Sequence, residues 1–486
     1  MAISNLFTIG TSAITAQRLA MEVTSENIAN VNTPGYSRQR AILRSEDTSL
    51  TNGFPLGTGV SIAAVQRSYD RLLQRQFIDG SGSYHQSLAE QHALQQIEPV
   101  LNEVSFDGLG KAIDDFFNSW QDLSVNPQGK AERQEVMIRA NVMTDMFHQV
   151  NTSLSNVITN TNAALVTVSA DINDKAENVA LLNRQIVEAE TSGDPANELR
   201  DQRDFLVRQL AEQAGISYSE NSDGTVDIRL GNADLVQRFS NAAVYPFPPA
   251  PANSSIYITP LGNPPAVASP AGTAPDLLIY QAGAAANPLS SLGELGGMLR
   301  ARDIIIPGYR DQLDELANQV VSEVNAQHQM GYALDGTTGN NFFDPGTTGS
   351  IDIKLDAALT TTKIAAGQPT ASDPVPTSSG NNVNALAMAG LKNKTSIAFS
   401  SGQSTFDNFY TGMVSDIGIK LQGANNKVKF GESFLRQLDQ LRESQSGVSL
   451  DEELTNLIKY QRAFEGAARL VTTADQMMQT LLGMVR

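Results

Sequence analysis

Apolar residues recur every seventh position at both ends of this chain. Phe7, Ile14, Met21 and Ile28 fall on one line, flanked by Ile3, Leu6, Ala13 and Ala20. Leu450, Leu457, Phe464, Val471, Met478 and Val485 repeat the design, with Leu454, Ala467, Ala468, Ala474, Leu481 and Leu482 beside them. A period of seven places such residues on one narrow helical stripe, the pattern of a coiled-coil seam. The first helix is expected over residues 3–31, roughly 43 Å long at about 1.5 Å per residue. The last is expected from Leu450, capped by Ser449, with Asp451, Glu452 and Glu453 at the positive end of its dipole. Such stripes most often pack on a protein's own core. Two helices paired only with each other, however, leave a thin rod with uncovered sides, and a rod of that kind calls for neighbours.

Between the ends, helical periodicity covers residues 84–124, where Ile113, Phe116, Phe117, Trp120 and Leu123 form an aromatic-rich stripe; Asn126-Pro127-Gln128-Gly129 then breaks it. From Val136 the steps Ala140, Met143, Phe147, Val150, Leu154, Val157, Thr161, Ala164 and Val168 alternate by four and three. Past Ile172 the spacing slips to Ala176, Val179, Leu182 and Ile186, as a stutter does, and implies one long helix or a helix pair. Gly193-Asp194-Pro195 ends it. Asp194 is expected to cap, and Pro195 to begin, the helix ANELRDQRDFLVRQLAEQAG, which Gly215 stops.

The texture changes at about residue 216. ISYSENSDGTVDIRL predicts two short strands around an Asp223-Gly224 turn, and residues 245–275 are dense in Pro, Ala, Gly and Ser, the composition of loops or of a β-rich insert with long connections. Helical pattern returns at 291–331; residues 335–384 are again rich in Gly, Thr, Ser and Pro, with a strand-like SIDIKL; a last helical stretch runs from about Asn382 into LRQLDQLRESQSG. The expected fold class is mainly α with β-rich inserts: N- and C-terminal helices paired as a coiled coil, a helical-bundle core domain, and one or two outer β domains. The expected division is 1–44 with 450–486 as the terminal coiled coil; 45–215, 293–340 and 385–449 as helical core; 216–292 as a β-rich insert; and 341–384 as a smaller one.

Composition narrows function by exclusion. With 486 residues the chain exceeds a single hydrophobic core, and Lys+Arg 34 against Asp+Glu 52 gives a net charge of −18, without a basic stripe to meet a phosphate backbone. Nucleic acid is not an expected partner. Absence of cysteine removes disulfides, thiolate metal sites and Cys nucleophiles. The N-terminus has no basic residue before Arg18 and no signal-cleavage pattern, and no apolar run is long enough for membrane insertion. His85, His92, His148 and His328 begin no zinc motif and are expected as solvated residues on helix faces. Gly110-Lys111 and Gly129-Lys130 lack the upstream glycine of a phosphate-binding loop; Asn221, Asp223 and Asp227 fit a plain β-turn better than a calcium loop; Asp114 and Asp115 read as a solvent face. No nucleophile elbow is present, so the reading is a protein without catalytic site, cofactor or metal.

One string resists so bland a reading. In NIANVNTPGYSRQR, residues 27–40, Asn27, Asn30 and Asn32 stand where the first helix would end, and Pro34 biases Thr33 out of helical conformation. Gly35 allows a positive φ, so residues 32–36 are expected to form a fixed turn that holds Tyr36 with a ring to bury and a hydroxyl to satisfy. The string NIANVNTPGYSRQ resembles the N-terminal motif of the bacterial flagellar axial proteins of rod, hook and hook–filament junction. The resemblance extends, toward the junction members, through DDFFNSWQDLSVNP, AERQEV, DPANELRDQRDFL, VNAQHQMGYALDGTTGNNFF, NNVNALAMAGL and SGVSLDEELTNLIKYQRAFEGAARLVTTADQMMQTLLGMV. Residues 225–290 and 345–380 match no such motif.

The resemblance implies a structural protein outside the cell, in the flagellum, exported by the flagellar type III route without a cleaved signal and helped by a chaperone at the C-terminal helix. It implies a ring of about eleven subunits at the hook–filament junction, closed by rotation, touching hook protein on one side and the second junction protein (hook-associated protein 3) on the other. Phe7, Ile14, Met21 and Ile28 would then meet Leu457, Phe464, Val471 and Met478 in subunit assembly, and the turn Asn30, Asn32, Thr33, Pro34, Gly35 and Tyr36 would set where the inner helix leaves the wall. Another axial protein such as a hook subunit, or a surface adhesin acting through the middle inserts, is the alternative.

Overall fold

Steps of three and four between apolar residues make helices wherever turn residues do not intervene, and in the computed structural model of this protein they do so along most of the chain. The structure describes residues 2–51, 54–101, 108–231, 233–246, 255–258, 277–281, 293–347, 351–369 and 380–484. Most of the Pro-rich stretch 245–275 lies outside these. The helices are α1 (Ala2–Ala29), α2 (Arg71–Leu101), α3 (Leu109–Val125), α4 (Lys130–Ala189), α5 (Asn197–Ala214), α6 (Gly293–Arg300), α7 (Ile306–Gln329), α8 (Val383–Gly390), α9 (Phe406–Ser446) and α10 (Leu450–Met484).

The stutter after Ile172 does not break α4, which is one helix of 60 residues whose buried positions run from Val136 through Leu154 and Leu165 to Ile186. Its successor starts later than the sequence predicts. Asp194 and Pro195 stay outside α5, whose capping position is Ala196, and the carboxylate of Glu190 accepts the Ala196 N–H at 3.0 Å. A side chain from the preceding helix end thus does the work expected of Asp194. Gly215 ends α5 in left-handed conformation at φ 52°, as its position requires. Between α6 and α7 the helix widens into a π turn over Ala301–Ile305, just before Pro307, whose missing N–H cannot continue a regular ladder.

The described chain gathers into two compact units. The first comprises Met1–His85, Val168–Glu294 and Lys429–Arg486, the second Gln86–Thr167 and Leu295–Val428. Helices α2, α4 and α9 therefore contribute residues to both, whereas the sequence reading assigns 45–215 to one core.

In the second unit the aromatic stripe of α3 forms the centre of the core. Phe116 and Trp120 each lie 5.6 Å from the ring of Phe342, and Phe117 stacks on Phe406 at 5.6 Å. All five are fully buried, and side chains of this size contribute about 1.5–3 kcal/mol each on burial. Two expectations fail here. SIDIKL is not a strand: Ile351 and Ile353 are buried at strand-like spacing, but the segment makes only an isolated bridge, Phe343 to Leu355. The last helical stretch is interrupted, because a hairpin of Ile397–Phe399 with Gly402–Ser404 separates α8 from α9.

His328 is the third correction. It is fully buried rather than solvated, with Nδ1 2.8 Å from the Asn340 carbonyl and Nε2 accepting the Ala365 N–H at 2.9 Å. Burial, acting before any other cause, pushes its pKa down to about 4. The ring is a neutral bridge between two backbone segments.

The first unit is built on α1, which runs along α10 on one side and along β1 (Gln39–Ser45) and β4 (Val60–Arg67) on another. These strands pair antiparallel with a bulge at Ile42/Leu43, and a short hairpin, β2 (Thr48–Thr51) with β3 (Phe54–Gly57), extends from them. The predicted Asp223-Gly224 hairpin is present as β5 (Ile216–Glu220) and β6 (Val226–Leu230), continued by β7 (Ala233–Gln237) and β8 (Ser240–Asn241) in a four-stranded antiparallel sheet. Two asparagines of α4 hold this region. Asn183 donates to the Val226 carbonyl at 2.8 Å and accepts the Val226 N–H at 3.0 Å, and Asn173 does the same to Val244 at 2.9 and 2.7 Å.

Because folded His328 resists protonation until about pH 4 while an unfolded histidine accepts a proton near 6.5, the second unit loses stability as pH falls through that window. The only tryptophan, Trp120, reports on this unit. Urea unfolding followed at Trp120 should show wild type exceeding His328→Gln at pH 7, with a margin that shrinks by up to about 3 kcal/mol toward pH 4.

Candidate functional site

Three strings remote in sequence, NIANVNTPGYSRQ, DPANELRDQRD and SGVSLDEE, meet in the first unit around the end of α1. Asn27, almost wholly buried, is the hub. Its Oδ1 accepts the Gln39 N–H and the Tyr36 hydroxyl, each at 2.9 Å, while its Nδ2 donates to the Gln39 carbonyl at 2.9 Å and to Glu453 of α10 at 3.1 Å. Every donor and acceptor of the carboxamide is thereby used, which is what burial of such a group requires. Between hub and strand the chain makes the expected turn: Thr33 N–H donates to the Asn30 carbonyl and Tyr36 N–H to the Thr33 carbonyl. Gly35 has φ +85°, and a Cβ there would stand 2.9 Å from Cβ of Phe205. Only glycine satisfies both the backbone and the α5 contact.

Two ionic links fasten the turn. Arg38 reaches Glu453 at 2.6 Å and Glu452 at 2.7 Å, and its N–H donates to the carbonyl of Ser446, the last residue of α9. Burial opposes the Arg38 charge, but the two glutamates outweigh it and raise its pKa. On the other side, Ser37 N–H donates to Asp201 of α5 at 2.8 Å, and Arg67 of β4 pairs with Asp201 at 2.9 Å and Asp204 at 2.7 Å. Asn197 donates to Gln39 Oε1 and to the Val65 carbonyl. Burial first, then the charges of Glu26 and Asp201, push the Tyr36 hydroxyl well above its usual pKa, so it remains a donor to Asn27.

The seam between α1 and α10 is built otherwise than the period of seven suggests. Gly10 meets Val471, and Asn27 meets Glu453, so seventeen positions on α1 answer eighteen on α10 in the reverse direction. The helices are antiparallel. Buried positions on α1 are Gly10, Ala16, Ala20, Val23, Thr24 and Asn27, mostly small, and a Cβ at Gly10 would fall 2.6 Å from Val471 Cγ2. Of the large residues, Ile14, Met21, Ile28, Leu457, Phe464 and Val471 are half-buried, whereas Phe7 and Met478 are exposed, at 45% and 41%. On α10, Leu454, Ile458, Met477, Leu481 and Leu482 are also exposed, Leu482 at 65%. In the turn, Asn32, Thr33 and Pro34 face solvent, while Asn30, Gly35 and Tyr36 are half-buried.

Asn27, Arg38, Gln39, Arg67, Asn197, Asp201, Asp204 and Glu453 do the joining, and the sequence reading singles out none of them as a site. Their signal is the density of polar residues at a helix end that hydrophobic periodicity skips. A cavity of about 630 Å³ beside the turn is lined by Glu26, Tyr36, Glu198 and Phe205 among others. There a hydrogen bond from Glu198, then burial, then the Glu198 charge push the Glu26 carboxyl up to about 7. Among the described residues no cluster of histidine and carboxylate side chains could hold a metal ion, and no described helix is long and apolar enough to cross a membrane. The arrangement is a mechanical joint between chain ends.

Three family models match the chain: the helical domain of flagellar hook-associated protein FlgK over residues 94–343, the C-terminal region of the flagellar basal body rod proteins FlgEFG over 440–484, and the flagella basal body rod protein over 7–36. Flagellar hook-associated protein 1 of Bacillus subtilis is 30% identical, over 97% of this chain and 96% of the relative. That of Salmonella typhimurium is 26% identical over 99% of both. The structure of the flagellar hook junction protein FlgK from Burkholderia pseudomallei covers 76% of this chain and 100% of its own, with TM-score 0.65 and 16% identity, and so shares the fold.

Two substitutions test the joint. Asn27→Ala leaves buried groups of Gln39, Tyr36 and Glu453 unpaired and should cost at least about 1–3 kcal/mol, read as lost exchange protection at the Ser37, Arg38 and Gln39 amides. Asn27→Asp, equal in shape, turns a carboxylate toward Glu453 and the Gln39 carbonyl; it should be no better at pH 7, and its deficit should narrow as pH falls, because its protonated form regains one of the two donations. For Glu26, the folded state keeps a proton between about pH 4.5 and 7 that the unfolded state releases, so its contribution to stability falls as pH rises through that window. The urea midpoint should therefore gain more between pH 7.5 and pH 5 in wild type than in Glu198→Gln.

Proposed function

This chain belongs to the flagellar hook-associated protein 1 family, and we propose that it forms the hook–filament junction ring by burying the uncovered side of its α1–α10 pair against neighbouring subunits. The family is structural and part of the flagellum, where its members assemble with other flagellar proteins. The observation that carries the finer reading is the inverted seam. Small residues close α1 onto α10, so the large apolar residues of α10 stay outward, and a row of exposed Leu, Ile and Met on one helix is an unfinished interface.

On this reading Phe7, Ile14, Met21 and Ile28 with Leu457, Phe464 and Met478 flank the closed seam, Val471 sits in it against Gly10, and all complete their burial in the ring of about eleven copies. Met477, Met478 and Met484 give that surface flexible side chains suited to unlike neighbours, which here are hook protein and the second junction protein. The turn Asn30–Tyr36 fixes the direction in which the chain leaves α1. Residues 1–44 and 450–486 act as the assembling coiled coil, and the middle segments as the outward body. Export proceeds by the flagellar type III route without signal cleavage, with a chaperone covering the C-terminal helix until assembly. No observation on the inserts favours an adhesin.

Ile458 and Leu482 are exposed at 58% and 65%, so charging them should barely alter the folded chain. A deletion strain carrying Ile458→Glu with Leu482→Glu should show hooks without filaments in electron micrographs and flagellin lost to the medium. Normal filaments would exclude this surface from the junction.

A further inference from the structure

Arg208 of α5 is a buried charge without a partner. It is 9% exposed, its Nε has no acceptor, and among the described residues its guanidinium makes no hydrogen bond or ion pair. The Phe205 and Phe77 rings lie 5.7 and 5.9 Å away, and Asp204 and Asp439 favour its charge from a distance without a hydrogen bond or ion pair. A desolvated guanidinium is ordinarily paired, because cation–π contact offsets only part of what water supplied. Arg442 of α9 is in a related condition: its Nε is also buried without an acceptor, and Asp439 reaches only its Nη2, at 3.4 Å. Burial first, then the charge of Arg442, hold the Arg208 pKa below the usual arginine range.

Both arginines line one cavity of about 510 Å³, walled also by the turn from Asn30 to Ser37 and by Ser446 at the end of α9 with Gly447 and Val448 after it. Its carboxylates are engaged elsewhere or open to solvent. Asp201 and Asp204 serve Arg67, Asp70 accepts the first N–H groups of α2, Asp439 leans on Arg442, and Glu443 is exposed.

We propose that Arg208 and Arg442 form a binding pocket for a carboxylate, which takes the unused edges of the two guanidiniums. Planar forks suit a planar two-oxygen acceptor. The acidic neighbours Asp439 and Glu443 admit a monoanion more readily than a doubly charged phosphate, and the ring of Phe77 in the cavity wall suits the carbon to which a carboxylate is attached. The turn from Asn30 to Ser37 walls the pocket directly, so an occupied pocket stiffens it against the end of α9. The carboxylate comes either from a free small acid or from an Asp or Glu side chain of a second copy, in a chain that carries 52 such residues.

Thermal unfolding of the full chain in sodium acetate against sodium chloride, at equal ionic strength and pH 7, tests this. Acetate should raise the wild-type midpoint by about 2–4 °C. It should do nothing for Arg208→Met, which in chloride should melt at or above wild type because an unpaired buried charge has gone. Arg442→Met, on the more open side of the cavity, should also abolish the acetate response with unchanged far-UV circular dichroism. An equal acetate shift in wild type and both variants, no shift in wild type, or an Arg208→Met chain melting well below wild type would overturn the pocket. Sedimentation at high concentration separates the sources: association in chloride that acetate reverses and Arg208→Met lacks assigns the carboxylate to a second copy, whereas a monomer that still answers to acetate assigns it to a free acid.

Discussion

A primary carboxamide presents a donor and an acceptor side by side, the same pair that a strand residue presents to its neighbour, and this fold depends on that equivalence. Asn27 of α1 grips both the N–H and the C=O of Gln39; Asn173 and Asn183 of α4 grip those of Val244 and Val226; Asn325 of α7 grips those of Phe343. In each case one helical side chain completes the hydrogen bonding of one extended residue by taking both of its backbone groups. The described strands are two to eight residues long, too short to fix their register by pairing alone. Helices borrow the chemistry of a ladder to hold them. Aspartate lacks the donor and leucine lacks both groups, so shape alone does not fill these positions.

Where the sequence speaks through period, it is legible. The periodicity of α4, expected as one long helix or a helix pair, the stop at Gly215, the turn at Gly35, the Asp223-Gly224 hairpin and both terminal helices follow from spacing and from the backbone freedom of glycine and proline. Where the decisive partner is backbone, it is not. His328 looks like any polar helix residue until the Asn340 carbonyl and the Ala365 N–H arrive from another segment. Asp194 looks like a cap until Glu190 takes its place.

The terminal stripe shows only part of the α1–α10 seam, for a different reason. A search for large apolar residues every seventh position finds Phe7, Ile14, Met21 and Ile28, but two helices that approach closely need small residues at the seam, and Gly10, Ala16 and Ala20 supply them. The candidate site divides along the same line. Its turn is written locally in Thr33-Pro34-Gly35-Tyr36. Its ion pairs join Arg38 to Glu453 and Arg67 to Asp201, and no local pattern links partners 415 and 134 positions apart.

Asn27 and Glu453 stand 426 positions apart in the chain. A contact of that separation closes nearly the whole polypeptide into one loop, which makes it slow to form and dependent on everything between. Until α10 is available, Glu453 is missing from the Asn27 hub and Arg38 lacks both of its glutamates. A chain emerging with α1 first thus carries an open latch that only α10 can shut, and the order of arrival becomes part of how the joint is made.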